Sequence, residues 1–273
     1  MVWLWLCHLV VIEDWLNKEI VTAAPLRHSM PQETSLHNIS IVLVNTKTPG
    51  NIGAVARCMM NMGLSRLLLV KPPPDRIGEA MKLAAGAEEL MQKAARFHTL
   101  REAVVDHGLV VGTSKHVTRR RKNIHPPREM AEHIIPLLPN NKVAVVFGRE
   151  VNGLDKDDLA LCQELIAIPS SDAFPSLNLS HAVMVVAYEL FLSARAGAPA
   201  SETALAHADA LENFYRHLQN TLQDIGFLDR EHPEHMMFAL RQLFGRARLD
   251  QRDVSILRGI LHTMERAAPR SKP

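Results

Sequence analysis

Three stretches of this chain set small, polar or charged side chains beside glycine or proline, the combination that lets backbone and side chain close on a ligand. The first reads Thr48-Pro-Gly-Asn-Ile-Gly-Ala-Val-Ala-Arg57. Gly50 and Gly53 would allow close approach of a ligand or of another chain. Ile52, Val55, Met59 and Met60 recur at helical spacing, with Arg57 away from the centre of their stripe. From these residues alone, Arg57 also reads as a surface arginine where a turn becomes a helix. Gly50-Asn-Ile-Gly53 resembles the loop of a KH domain, but that loop lies between two helices and this one follows a strand. The second stretch is Val145-Val-Phe-Gly-Arg-Glu-Val-Asn-Gly-Leu154. A buried strand ends at Gly148 and presents Arg149 and Glu150 at its carboxyl end, where parallel sheets place ligands; a plain turn with a surface ion pair is the competing reading. The third runs from Ile168-Pro to Phe174-Pro-Ser-Leu-Asn-Leu-Ser-His181. Ser176, Asn178 and Ser180 would cap the apolar helix that follows, and capping does not preclude a place in a site. His181 by itself reads as structural.

Several signatures are missing. No Gly-x-Gly-x-x-Gly follows the first strand, which argues against a dinucleotide-type Rossmann site. There is no Gly-x-x-x-x-Gly-Lys-Ser/Thr phosphate loop, and no Cys/His spacing of the zinc kind, so no metal is expected.

These stretches need elements to hold them. Apolar runs at Ile39–Asn45, Arg66–Val70, Gly108–Gly112, Lys142–Gly148 and Leu165–Pro169 read as strands, most of them buried on both faces. Helical patterns lie between them at Asn51–Met62, Ile77–Ala95, Leu100–Asp106, Arg128–Leu138 and Lys156–Cys162. The alternation predicts an α/β fold with a mostly parallel sheet and helices on both faces. Leu179–Arg195 is hydrophobic almost all round, so more than one face should be buried, the second against a partner such as another copy. Residues 197–208 read as a linker, and 209–273 as a separate, small all-α extension.

The length of 273 residues suits one sizeable core and a smaller unit. With 47% hydrophobic and 22% charged residues the chain has the composition of a globular protein. The net charge of +2 leaves any nucleic-acid argument to local charge. The densest basic run is Lys115-His-Val-Thr-Arg-Arg-Arg-Lys122, and the tail adds Arg241, Arg246, Arg248, Arg252 and Arg258 among acids. Cys7, Cys58 and Cys162 are sparse and unpaired by spacing, as in a reducing compartment. The apolar run Met1–Ile12 is shorter than the roughly 20 residues of a membrane span and lacks a basic leader. Residues 1–36 are read as an extension without a clear role, with a linker at 24–36 and an alternative start near Met30. A cytoplasmic protein is expected.

In order and spacing, the three stretches resemble the three motifs of the SpoU branch of the SPOUT methyltransferases, over about Asn38 to Arg195. Phe214-Tyr-Arg-His-Leu, Ile225-Gly-Phe, His232-Pro, Leu243-Phe-Gly-Arg-Ala-Arg248 and Ile256-Leu-Arg-Gly-Ile-Leu261 resemble the RNA-binding extension of the members that methylate bacterial tRNA. The resemblance implies a methyltransferase domain at 37–196 with a C-terminal trefoil knot. It also implies S-adenosylmethionine as cofactor and the 2′-hydroxyl of a tRNA ribose as substrate, at cytidine or uridine 32 of the anticodon loop. An rRNA-directed enzyme or a non-catalytic RNA-binding protein of the same fold are the alternatives; the extension argues against the former and the intact motifs against the latter. By similarity the cofactor lies against Thr113, Ser114, Lys115, Gly148, Ile168, Pro175, Ser176 and Leu177, and Gly148 leaves room for the adenosine. Arg57 orients the hydroxyl and stabilises developing charge, because a guanidinium is a poor base. Asn51, Glu150, Ser176 and Asn178 position Arg57, the ribose or its phosphate. Lys115, Arg119, Arg120, Arg121 and Lys122 meet RNA phosphates. The resemblance also implies a homodimer, in which Arg57 could serve the partner's site.

Overall fold

Runs such as Ile-Ser-Ile-Val-Leu-Val and Val-Ala-Val-Val-Phe offer almost no polar face, so they are stable as strands only when covered on both sides. The computed structural model, which describes residues 36–73, 77–115, 123–229 and 231–267, gives them that cover. The extension expected before Leu36 and Arg119, Arg120, Arg121 and Lys122 of the basic run lie outside the described residues. The strands are β1 (Ile39–Val44), β2 (Arg66–Val70), β3 (Ala95–Phe97), β4 (Leu109–Thr113), β5 (Ile124–His125), β6 (Val143–Phe147) and β7 (Glu164–Ile166). They form one sheet in the order β3-β2-β1-β6-β4-β7-β5, every pair parallel.

The register decides where the motifs go. Leu43 lies beside Phe147, Gly112 beside Val146 and Thr113 beside Ile166. The residues that follow β1, β6, β4 and β7 therefore all leave one edge of the sheet, side by side. Two strands were not expected. β3 and β5 are short edge strands of three and two residues, without the apolar run that marks a buried strand.

Helices α1 (Pro49–Asn61), α2 (Ile77–Leu83), α3 (Glu88–Lys93), α4 (Leu100–Val104), α5 (Pro127–Ile134), α6 (Lys156–Ala160) and α7 (Leu179–Ala196) connect and cover the sheet. Alternate side chains of β1 go to opposite layers. Ile39, Ile41 and Leu43 meet the helical residues Ile52, Val55, Met59, Ile134, Val183 and Leu190. Val42 and Val44 join Leu100, Val104 and Leu154 on the other face. The single helix expected over Ile77–Ala95 is two, because Gly86 turns the chain at φ +82° between them. Arg128–Leu138 likewise ends as a 3-10 turn over Ile135–Leu137, which contains Pro136.

By length and composition α7 is the one described helix that could cross a membrane, yet it packs on α1 and α5. Within one chain only one of its faces is covered: Val183, Val186, Ala187 and Leu190 are buried, while Val185, Tyr188 and Leu192 are exposed.

Helices α8 (Ala208–Asp224), α9 (Glu234–Ala247) and α10 (Gln251–Ala267) form the C-terminal part. Their core holds Phe214, Tyr215, Leu218, Leu222, Met237, Val254 and Leu261, with the Phe214 and Phe244 rings edge to face at 5.2 Å. Phe227, Leu243, Ile256 and Ile260 are exposed. The joint to the sheet is polar. Glu212 takes Arg101 and Arg241, Glu164 takes Arg248 at 2.8 Å, and the Ala208 N–H donates to the His107 carbonyl at 2.9 Å. Two of the tail's basic residues, Arg241 and Arg248, are thus spent on buried carboxylates; Arg246, Arg252 and Arg258 remain exposed.

Candidate active site

After β1 the chain turns at Asn45, which adopts φ 53° and donates its N–H to the Val70 carbonyl at 2.7 Å. Four residues later Pro49 starts α1, where its fixed φ and missing N–H suit the first turn. Thr48 precedes it without capping the helix through its side chain. A carboxylate from the second motif takes that place. Glu150 accepts the N–H groups of Lys47 and Thr48, each at 3.1 Å, and the Asn51 side-chain amide at 3.0 Å. An acid at a helix N-terminus also meets the favourable end of the helix dipole.

The chain of bonds continues. Asn51 Oδ1 accepts from Asn178 Nδ2 at 3.1 Å, and Asn178 Oδ1 caps α7 by accepting the Ser180 N–H at 2.9 Å and the Ser180 hydroxyl at 2.8 Å. One run of hydrogen bonds, Glu150–Asn51–Asn178–Ser180, joins all three motifs, the first of which lies about a hundred residues or more from the other two. Beside it, the Cys58 thiol reaches the Ser180 carbonyl at 3.6 Å. Asn51 and Cys58 are seven residues apart and so share a face of α1. Burial works against ionisation of Glu150, but Asn51 and the backbone donors outweigh it and hold its carboxyl below the usual value. No cation pairs with Glu150 among the described residues; Arg149 turns instead to Asp155 at 3.0 Å and Asp158 at 3.7 Å.

Gly148 has a structural reason of its own. A Cβ there would lie 2.2 Å from the Gly153 carbonyl carbon and 2.3 Å from the Leu154 nitrogen. The space expected to be left for a ligand is filled by the loop that returns over the strand end. Gly53 similarly admits α2, whose Ala80 oxygen would lie 2.2 Å from a Cβ. Gly148 and Gly53 are thus required by the chain's own packing.

The remaining predicted residues sit as follows. Thr113 ends β4 and donates its hydroxyl to the Val146 carbonyl at 3.0 Å. The Ser114 N–H donates to Ile166, and Lys115 is exposed just beyond. Ile168 is half-buried past β7. Pro175, Ser176 and Leu177 are exposed on the loop before α7. Ser176 stands outside the hydrogen-bonded run that its neighbour Asn178 joins. Arg57 is exposed, six residues along α1 from Asn51 and so about 9 Å farther along the axis. It makes no hydrogen bond or ion pair to another described residue. Cys58 is the neighbour that sequence reasoning missed; its spacing from Asn51 was the available signal.

Known proteins are similar to this chain in sequence and fold. The sequence pattern of the SpoU rRNA Methylase family matches residues 38–188, and that of the tRNA methyltransferase TrmJ C-terminal domain matches residues 209–273. A tRNA (cytidine/uridine/adenosine-2′-O-)-methyltransferase TrmJ from Pseudomonas aeruginosa is 43% identical over 246 residues, 85% of this chain and 96% of that protein. A tRNA (cytidine/uridine-2′-O-)-methyltransferase TrmJ from Salmonella typhimurium is 42% identical over 236 residues, 84% of this chain and 97% of its own. Among solved structures, TrmJ from Z. mobilis superposes with a TM-score of 0.71 at 31% identity, covering 83% of this chain and 98% of that one. With a family pattern on more than half of the sequence and relatives of this identity over nearly their whole length, the chain belongs to the SpoU rRNA Methylase family.

Proposed function

We propose that this chain transfers the methyl group of S-adenosylmethionine to the 2′-oxygen of a ribose in tRNA, at cytidine or uridine and by the resemblance at position 32. The C–S bond to the methyl carbon breaks, an O–C bond forms, and S-adenosylhomocysteine and a proton leave. The observation that carries the proposal is the Glu150–Asn51–Asn178–Ser180 run, which gathers the three motifs at the open edge of the sheet and leaves the Glu150 carboxylate and the Arg57 guanidinium without ionic partners among the described residues.

A cofactor fits that edge. The ends of β4, β6 and β7 lie next to one another, where Thr113, Ser114, Lys115, Gly148 and Ile168 offer backbone groups. Pro175, Ser176 and Leu177 border it, and Val151 and Phe174 on the flanking loops are each 79% exposed, apolar cover against which an adenine ring could lie. The bound sulfonium supplies an already activated methyl group. The residues have only to align and polarise. Arg57 donates to the ribose oxygen and stabilises charge as its proton leaves. Asn51, Glu150 and Asn178 fix the N-termini of α1 and α7 on either side, and Ser176 contacts the ribose or its phosphate. Lys115, with Arg119, Arg120, Arg121 and Lys122, carries RNA phosphates.

Two chains complete the enzyme in this reading. The exposed Val185, Tyr188 and Leu192 face of α7 supports a homodimer, with Arg57 of one protomer reaching the cofactor of the other. The C-terminal trefoil knot that the resemblance implies belongs to the same reading, as does a cytoplasmic place of action. The test is methyl transfer from labelled S-adenosylmethionine to tRNA, with 2′-O-methyl positions mapped afterwards. Label on a 2′-oxygen of tRNA is expected. Transfer to rRNA only, or cofactor binding that calorimetry fails to detect, would overturn it.

A further inference from the structure

Four strands away from β1 in the sheet order, the outer edge of the sheet gathers two histidines and a buried acid that the methyl-transfer reading does not use. His125 lies on β5, His133 near the end of α5 and Glu164 at the start of β7. One imidazole nitrogen from each histidine and one carboxylate oxygen of Glu164 lie within 4.8 Å of one another. The two rings stand edge to face, 5.0 Å between centres. Nothing in the spacing of these residues announces a metal, because the parallel pairing of β5 with β7 is what brings them together.

The group is incomplete in a specific way. Glu164 is 4% exposed, and both Arg248 contacts, at 2.8 and 3.0 Å, fall on the same oxygen, Oε1. Its other oxygen, Oε2, is buried with no partner, and so is Nδ1 of His133. Asn123, level with Glu164 on the β5–β7 ladder, also leaves its side-chain oxygen unpartnered. Native interiors rarely leave such atoms unpaired. His125 is already braced, its Nδ1 being 2.8 Å from Glu129, the kind of carboxylate support that ligating histidines commonly have.

We propose that His125, His133 and Glu164 bind one divalent transition-metal ion of the zinc or cobalt kind. Two imidazoles and a carboxylate suit these ions rather than magnesium or calcium, which prefer oxygen donors throughout. A tetrahedral zinc holds its ligand atoms about 3.4 Å apart, so atoms now within 4.8 Å of one another need to close by at most about 1.4 Å. The ion neutralises Glu164 Oε2, fastens the two-residue strand β5 to α5, and sits behind the Glu164–Arg248 contact that docks the C-terminal helices. Its role is structural, and it takes no part in methyl transfer.

The full chain, free of any affinity tag and stripped with a chelator, is titrated with Co2+ while visible absorption is recorded, and then with Zn2+ in competition. One equivalent is expected, with the ligand-field bands of a nitrogen- and oxygen-ligated cobalt and a raised Tm. His125→Ala and His133→Ala should each weaken binding at least tenfold. The double variant His217→Ala, His262→Ala, which removes the separate His217–His262–Glu265 cluster in the C-terminal helices, should bind normally. Circular dichroism confirms folding of each variant. Absence of cobalt bands in the wild-type chain, binding that survives His133→Ala, or binding lost only in the double variant would overturn the assignment.

Discussion

Two carboxylates, Glu150 and Glu212, each organise a network joining distant segments, and they differ in what they leave unspent. Glu150 is half-buried and takes only neutral donors, from Lys47, Thr48 and Asn51. Glu212 is 6% exposed and takes two guanidinium groups, with Arg241 also 4.3 Å above the Tyr215 ring. Burial opposes the charge on Glu212 as well, and Arg241 and Arg101 more than offset it. The joint closes its charges on themselves, which is how a buried ion pair holds two parts in one arrangement. At the strand ends Glu150 has only neutral donors and Arg57, farther along α1, has no ionic partner among the described residues, which under the proposed function leaves both charges for the substrate. Changes at the first region should therefore move activity, and changes at the second should move stability.

The largest effect is expected at Arg57. Arg57→Ala should lower the rate of methyl transfer by about 10²–10³ while cofactor affinity, measured by calorimetry, stays within about twofold. Near-normal turnover would remove Arg57 from the chemistry and erase the contrast. Next comes pH. Burial pushes the His107 imidazole down to about 4, against the opposing pull of Asp106, and Arg66 adds to the depression. Its ring stays neutral 2.9 Å from the Ser40 hydroxyl. Below the ordinary value of 6.5 the unfolded chain takes up the proton first, so stability falls as pH drops from about 6.5 to about 4 and levels off below that. The full loss is about 3 kcal/mol. Tm measured across that range should flatten in His107→Gln; an unchanged slope would assign the loss to other groups.

At the joint, Glu212→Gln should destabilise the fold by about 2 kcal/mol in denaturant unfolding, less than for a fully buried pair because Arg101 is 48% exposed. It should leave the methylation rate per folded molecule unchanged. The smallest effect belongs to Glu150→Gln, which keeps the shape and loses the charge. A stability change of about 1 kcal/mol or less is expected, with a tenfold or smaller drop in turnover. A larger loss of stability than for Glu212→Gln would reverse the comparison.

Sequence and structure divide the explanation unevenly. The buried strands were legible because runs such as Ile39–Val44 and Val143–Phe147 admit no other covered arrangement, and the site segments because glycine, proline and short polar residues cluster directly after them. The same reasoning failed at β3 and β5, whose two or three residues carry no periodicity, and at Ile77–Ala95, where one left-handed glycine outweighs a continuous helical pattern. It did not find the partners of Arg241 and Arg248, because pairing with Glu212 and Glu164 spans 29 and 84 residues. What the sequence alone determined is which segments form the sheet and which carry the polar groups at its end, since burial and turn chemistry are local. That Asn51 meets Glu150 and Asn178, that Gly148 and Gly53 serve internal packing, and that two histidines meet Glu164 were decided only by the parallel register, which aligns residues remote in the chain by a geometry that no local pattern encodes.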